Sequence, residues 1–268
     1  MRELAPVQSL DQEAFAVAFD ALKQNKPQFS HGDVDFNLGK VLGQGGTKSV
    51  YDTHISGEHL ALALPNTVDN TVRAAQKWQE ALREPSVTDV IRTLGFLVNA
   101  RCEVTPIKVD STTFPALTLT RYADLPVEVR DRKNPHSSVV KSDIFSATPT
   151  LGSFMDLSHG LVRDTAALVK HGVILKADSF NLGKENDGLR LFLNDLADAQ
   201  FEELSEEDAA RYAGQASMRA VQALHRGLSW EEYDKHSEFL ESDAFHFQHG
   251  KAYKDFTDLV LAEVGISS

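Results

Sequence analysis

The chain has 268 residues but only one cysteine, Cys102. That excludes an internal disulfide framework and a cysteine-built zinc cluster, and it fits a reducing compartment. A lone thiol reads first as a small buried hydrophobe. Cations are scarce as well: 27 Lys and Arg stand against 39 Asp and Glu, a net charge of -12. That balance argues against broad binding to nucleic acid or to an anionic membrane, because neutralising phosphates takes clustered Lys and Arg. Any bound polyanion must be met locally. No apolar run approaches the roughly 18 residues that cross a bilayer, and the N-terminus lacks a basic region followed by a signal-type apolar core. The expectation is no membrane span and a cytoplasmic location, or export into a host cell by a route that cleaves no signal peptide. The ten histidines form no His-x-x-x-His pattern, and His246 and His249 have no cysteines near them, so no zinc site is expected.

What is present is ordinary for a soluble globular protein, with 42% hydrophobic and 25% charged residues in a length that suits one large domain or two lobes. Ser9 and Gln12 stand at capping-box spacing before Phe15, Phe19 and Leu22, which predicts an amphipathic helix. From Val34 to Leu64, apolar runs broken by glycines predict three antiparallel strands. Thr71 to Arg83 reads as a helix ended by Pro85, and Val87 to Asn99 as a second, with Leu97 and Val98 on its apolar side. Strands follow at Thr105 and Phe114. The polar stretch from Arg130 to Pro149 is the best linker. Helices are expected around Phe154 to Lys170, Ser205 to His225 and Tyr253 to Val264. The expected division is a helical extension over 1–30, a sheet with helices over 31–126, and a mostly helical unit over 127–268.

One stretch raises a chemical question. VLGQGGTKSVY, Val41 to Tyr51, places Gly43, Gln44, Gly45, Gly46, Thr47 and Lys48 between two strand-like runs. Glycines there let the backbone approach a ligand and turn N–H groups toward phosphate oxygens, although the same residues also make a plain tight turn. The next strand, HLALALPN, holds no lysine, and Lys48 is the only Lys or Arg between Val41 and Leu64. Farther on, HGVILKADSFNLG contains Asp178 and Asn181, and LRLFLNDLADA carries Asp195 fourteen positions after Asn181. Taken singly, Asp178 also reads as an Asx-turn residue, Asn181 as a loop amide and Asp195 as a helix cap.

In order and spacing, from Val34 to Asp198, these pieces resemble the protein-kinase family. The resemblance implies an α+β, two-lobed kinase-like fold with an N-terminal antiparallel sheet and a reduced helical C-terminal lobe. ATP and Mg2+ would lie between the lobes. Ala63 stands where the family's phosphate-pairing lysine usually sits, while Lys48 occupies the third glycine position of the loop. That looks like the with-no-lysine kinases, since a four-carbon stem delivers one charge to the same point from either strand. A solvated surface lysine is the alternative. The acidic partner is Glu80 or Glu84, with Asp89 as a third choice. Arg121 and Tyr122, in the hinge-like LTRYADLP, would border the nucleotide. Asp178 would accept the substrate hydroxyl proton, while Asn181 and Asp195 would hold Mg2+, with Asp198 either assisting the metal or solvating the loop.

Three departures stand out. Asn181 follows Asp178 by three residues where the family shows five, Asp195-Leu196-Ala197 replaces Asp-Phe-Gly, and no Ala-Pro-Glu segment follows. Such economy resembles minimal, divergent bacterial kinase-like proteins, secreted effectors among them. The implied activity is transfer of the ATP γ-phosphoryl group to a Ser or Thr of a protein, a host protein included. Two rivals are a pseudokinase that acts only as a binding module and an enzyme that transfers AMP.

Overall fold

The computed structural model describes residues 9–24, 27–120, 127–128, 159–176, 179–185, 188–227 and 243–266. It is an α+β protein in which a curled antiparallel sheet with its helices precedes a mostly helical half. Helix α1 (Gln12–Leu22) is capped by Asp11, whose carboxylate accepts from the amides of Glu13 at 3.1 Å and Ala14 at 3.0 Å. Ser9, at capping-box spacing from Gln12, therefore stands outside the helix. The nearer acceptor captured the free amides. Phe15 and Phe19 stack at 5.4 Å on the buried face.

The main sheet has seven strands in the order β2-β1-β7-β8-β5-β4-β3. They are β1 (Phe29–His31), β2 (Val34–Phe36), β3 (Leu38–Gln44), β4 (Lys48–Ile55), β5 (Glu58–Pro65), β7 (Cys102–Val109) and β8 (Thr112–Leu119). Val34 to Leu64 thus forms four strands where three were expected, because the chain breaks at Asn37: β2 pairs with β1 while β3 pairs with β4. Helix α2 (Thr71–Ala81) lies on the sheet. Its fully buried Trp78 donates from Nε1 to the carbonyl of Pro115 at 2.9 Å and stacks on Phe114. Together α1, α2 and the sheet enclose a first core around Phe15, Leu62, Trp78, Ile107 and Phe114.

Helix α3 (Glu84–Thr93) departs from that unit. Pro85 does not end a helix but sits in the first turn of α3, where a missing amide costs nothing. Gly95, at φ 88°, closes α3, and Leu97 and Val98 form strand β6 (Leu97–Val98) instead of extending the helix. β6 runs parallel to β12 (Gly188–Leu193), with Leu97 opposite Phe192. Val87, Ile91 and Phe96 accordingly belong to a second core. That core is completed by α4 (His159–Lys170), β10 (Val173–Ile174), β11 (Phe180–Glu185), β12, β13 (Gln200–Phe201), α5 (Glu206–Gly227) and α6 (Asp243–Val264). A short β9 (Val127–Glu128) borders β11. The expected linker from Arg130 to Pro149 lies outside the described residues.

Two features fix this second core. Gly172, at φ 59°, closes α4, and a Cβ there would sit 1.7 Å from the Glu202 carbonyl oxygen, so only glycine fits. Arg190 of β12 donates from Nε to the buried Asp164 of α4 at 2.7 Å and from its guanidinium to the Gly95 carbonyl at 2.8 Å. Asp164 also accepts the Leu191 amide at 2.9 Å. Burial pushes the Asp164 carboxyl up, against the opposing pull of Arg190. One ion pair therefore ties α4, β12 and the turn after α3.

Candidate functional site

Lys48 is the first residue of β4 and lies opposite Pro65, while Val50 lies opposite Ala63. Lys48 and Ala63 are thus diagonal neighbours on one face of the sheet, about 7–8 Å apart in such a ladder and within reach of a long side chain. A lysine at 48 and one at 63 would therefore extend from the same face of the sheet. Ala63 itself is fully buried.

The Lys48 ammonium is held between two carboxylates. It forms an ion pair with Glu84 in the first turn of α3, and it lies 2.8 Å from Oδ1 of Asp195, just after β12. The Lys48 and Glu84 side chains are 13% and 6% exposed, whereas that of Asp195 is 49% exposed. Burial alone would lower the lysine pKa, but the charges of Glu84 and Asp195 outweigh it and hold the ammonium above its ordinary range. Among the three candidate carboxylates, only Glu84 is brought to Lys48. Glu80 is exposed on α2, and Asp89 pairs with Arg92 on the surface.

The Gly-rich segment is the turn between β3 and β4. Gly43 faces Val50, Gln44 faces Ser49, and the Gly45 amide donates to the Lys48 carbonyl at 2.9 Å. A Cβ built on Gly43 or Gly46 would meet nothing within 4 Å. Packing does not demand these glycines, so the space beside the turn is open to a ligand. Thr47 is half-buried at its base.

Asp195 adopts φ 52°, a left-handed conformation uncommon outside glycine and asparagine-like residues. Its carbonyl accepts from the Ser179 hydroxyl at 3.2 Å, and the Asn194 amide donates to the Ser179 carbonyl at 3.2 Å. Asn181 is not a loop amide: it sits in β11 opposite Phe192 and donates from Nδ2 to Oδ1 of Asn194. Asn194, absent from the expected set, thereby links Asn181 to the turn that carries Asp195. Its only sequence signal is its place in Asn-Asp-Leu.

Asp178, Arg121 and Tyr122 lie outside the described residues. The segment before Asp178 is nevertheless anchored. The Tyr212 hydroxyl donates to the Val173 carbonyl at 2.6 Å and accepts the Leu175 amide at 3.2 Å, and Arg219 donates to the Leu175 carbonyl. Burial pushes the Tyr212 phenol up to about 12. The expected metal helper Asp198 is engaged by Lys176. Cys102 is buried beside the Lys48–Glu84 pair, where desolvation and then the Glu84 charge push its thiol up to about 12.

Among the described residues no three His, Cys, Asp or Glu side chains converge as a metal cage. Asp195 instead offers a half-exposed carboxylate, and Asn181, with its nitrogen committed to Asn194, keeps its amide oxygen. Two oxygen donors of this kind suit Mg2+, which fills its remaining positions with water and phosphate oxygens. No family model matches this chain, and no curated protein matches it either.

Proposed function

We propose that the protein is an ATP-dependent phosphotransferase on a divergent protein-kinase-like fold, passing the γ-phosphoryl group to a hydroxyl, with protein Ser or Thr the first-choice acceptor. The observation that carries this reading is the buried Lys48 ammonium held by Glu84 and Asp195, three charges brought together from β4, α3 and the end of β12. A buried lysine–glutamate pair reached by a half-exposed aspartate is the kind of costly charge cluster that marks functional sites, especially beside an open Gly-rich turn.

In this reading the loop amides from Gly43 to Gly46 and the Lys48 ammonium bind and orient the phosphates. Glu84 holds the lysine in place. Asn181 and Asp195 would hold Mg2+, which neutralises charge on the transferring group. Asp178 accepts the proton of the attacking hydroxyl. The bond from γ-phosphorus to the bridging oxygen breaks, the bond to the acceptor oxygen forms, and ADP leaves. The short spacing between Asp178 and Asn181 favours one rival, a binding module without turnover.

Incubation with γ-labelled and α-labelled ATP plus Mg2+, read by intact mass of the protein and of proteins in a host-cell lysate, separates the possibilities. Transfer of γ label is expected; α label would establish AMP transfer, and no label with intact ATP binding would establish the module. Lys48→Ala should weaken ATP binding about tenfold or more, as charge-assisted bonds are lost, while Lys40→Ala, at an exposed position of the same hairpin, should change it little.

A further inference from the structure

The Gly-rich turn is held from outside by a group of residues with no assigned role. The Asn66 side chain donates from Nδ2 to the Gly45 carbonyl at 2.7 Å, and its backbone amide donates to the Thr47 carbonyl at 3.0 Å. Between these, Lys77 of α2 donates from Nζ to the Gly46 carbonyl at 2.8 Å and to Oδ2 of Asp69 at 2.6 Å. A helical side chain leans toward the N-terminus of its helix, which carries the Lys77 stem back to Asp69 and the turn. The hydrogen bond from Lys77 holds the Asp69 carboxyl below its ordinary range. Asn66 in turn accepts the Val68 amide at 3.2 Å, which fixes the connection itself.

Three consecutive carbonyls, those of Gly45, Gly46 and Thr47, are therefore drawn toward the β5–α2 side. In a trans peptide the carbonyl and amide of one unit point in opposite directions, and the chain has no cis bond among the described residues. The amides of the same units, those of Gly46, Thr47 and Lys48, must point the other way. Among the described residues no acceptor takes the amide of Gly46 or of Thr47. Successive amides turned to one side form a concavity for anions.

We propose that Asn66, Asp69 and Lys77 form a clasp whose function is to fix this turn with its amides presented to the polyphosphate of a nucleotide. The three are positioning residues: they act on the carbonyl side of the turn and govern affinity for phosphate, not for the base. The inference rests on the nucleotide reading above and specifies how its phosphate site is preorganised.

Titration of the full chain with Mg-ATP, with Mg-tripolyphosphate and with adenosine tests it. Lys77→Met should weaken ATP and tripolyphosphate about tenfold while leaving adenosine unchanged, and Lys77→Arg should restore most of the loss. Asn66→Ala, which removes a different strap, should weaken the same two ligands and supplies the test if Lys77→Met fails to fold. ATP affinity of both variants within about twofold of the parent overturns the clasp, as does an equal loss for adenosine, which would mean general loosening. Lys48→Ala serves as the reference. If it costs ATP affinity and the clasp variants do not, only the clasp falls; if it costs none, or the parent binds no ATP, the nucleotide reading falls and the clasp with it.

Discussion

Two hairpins meet at the candidate site, and they are built by opposite means. The β3–β4 hairpin ends in an exposed turn of glycines with open space around it, held by two hydrogen bonds from Asn66 and one from Lys77. The β11–β12 hairpin is sunk in the second core, with Phe180, Leu191 and Leu193 buried and Arg190 locked to Asp164. One side of the site is held by a few exposed hydrogen bonds and the other by a packed core. A few exposed bonds can be lost without unfolding the chain, whereas a packed scaffold cannot be loosened locally, so substitutions on the first side should tell on local geometry and those on the second on overall stability.

Breaking the packed side should cost most. Arg190→Met leaves the Asp164 carboxylate buried without its cation, a loss of about 3–5 kcal/mol and about 10 °C in melting temperature. Chemical and thermal unfolding would register it, and a loss below about 1 kcal/mol would show that the second hairpin is no firmer than the first.

Lys48→Met should come next, at about 1–3 kcal/mol, since Glu84 would lose its partner while buried. Its pH dependence has a definite sign. The folded-state pKa of Lys48 lies above the ordinary value of 10.5, so its contribution is complete below that value and is lost only as pH climbs toward the folded pKa. The stability gap between parent and variant should therefore stay level from about pH 6 to about pH 9.

Smaller still is the effect of Asp195→Asn on the fold. The side chain is half exposed and asparagine tolerates the left-handed backbone, so unfolding free energy should move by about 0.5 kcal/mol or less while Mg2+-dependent ATP binding disappears. A large drop in melting without nucleotide would make Asp195 a structural residue. The smallest effect is a silence: Cys102, buried with its thiol pushed up to about 12, should resist alkylation at about pH 8 in the native protein and react once denatured.

The α+β order, most helices and Lys48 as the one cation of a glycine-rich hairpin were legible because they rest on local spacing and on scarcity, whereas the choice of Glu84 over Glu80 and Asp89 was not, since it depends on where α3 packs. Leu97 and Val98 were misread because their helical spacing is equally that of a short strand, and what decides between them is pairing with residues far along the chain. Pro85 marks a helix boundary from either side, and only packing shows that it opens α3. Asn66, Lys77 and Asn194 carry no pattern at all. Their roles arise from where the backbone places a carbonyl or an amide, which no sequence period encodes.

The parallel pairing of β6 with β12 also bears on how the chain is made. Val87, Ile91 and Phe96 leave the ribosome about a hundred residues ahead of β12, whose Leu189, Leu191 and Leu193 share their core. At about 5–20 residues per second, this apolar stretch waits for about 5–20 seconds beside the sheet already made. A nascent chain in that interval is an obvious client for a holdase. A fragment cut after β8 would keep the same surface exposed for good and should need either rescue by the remainder of the chain or replacement of those residues by polar ones to remain in solution.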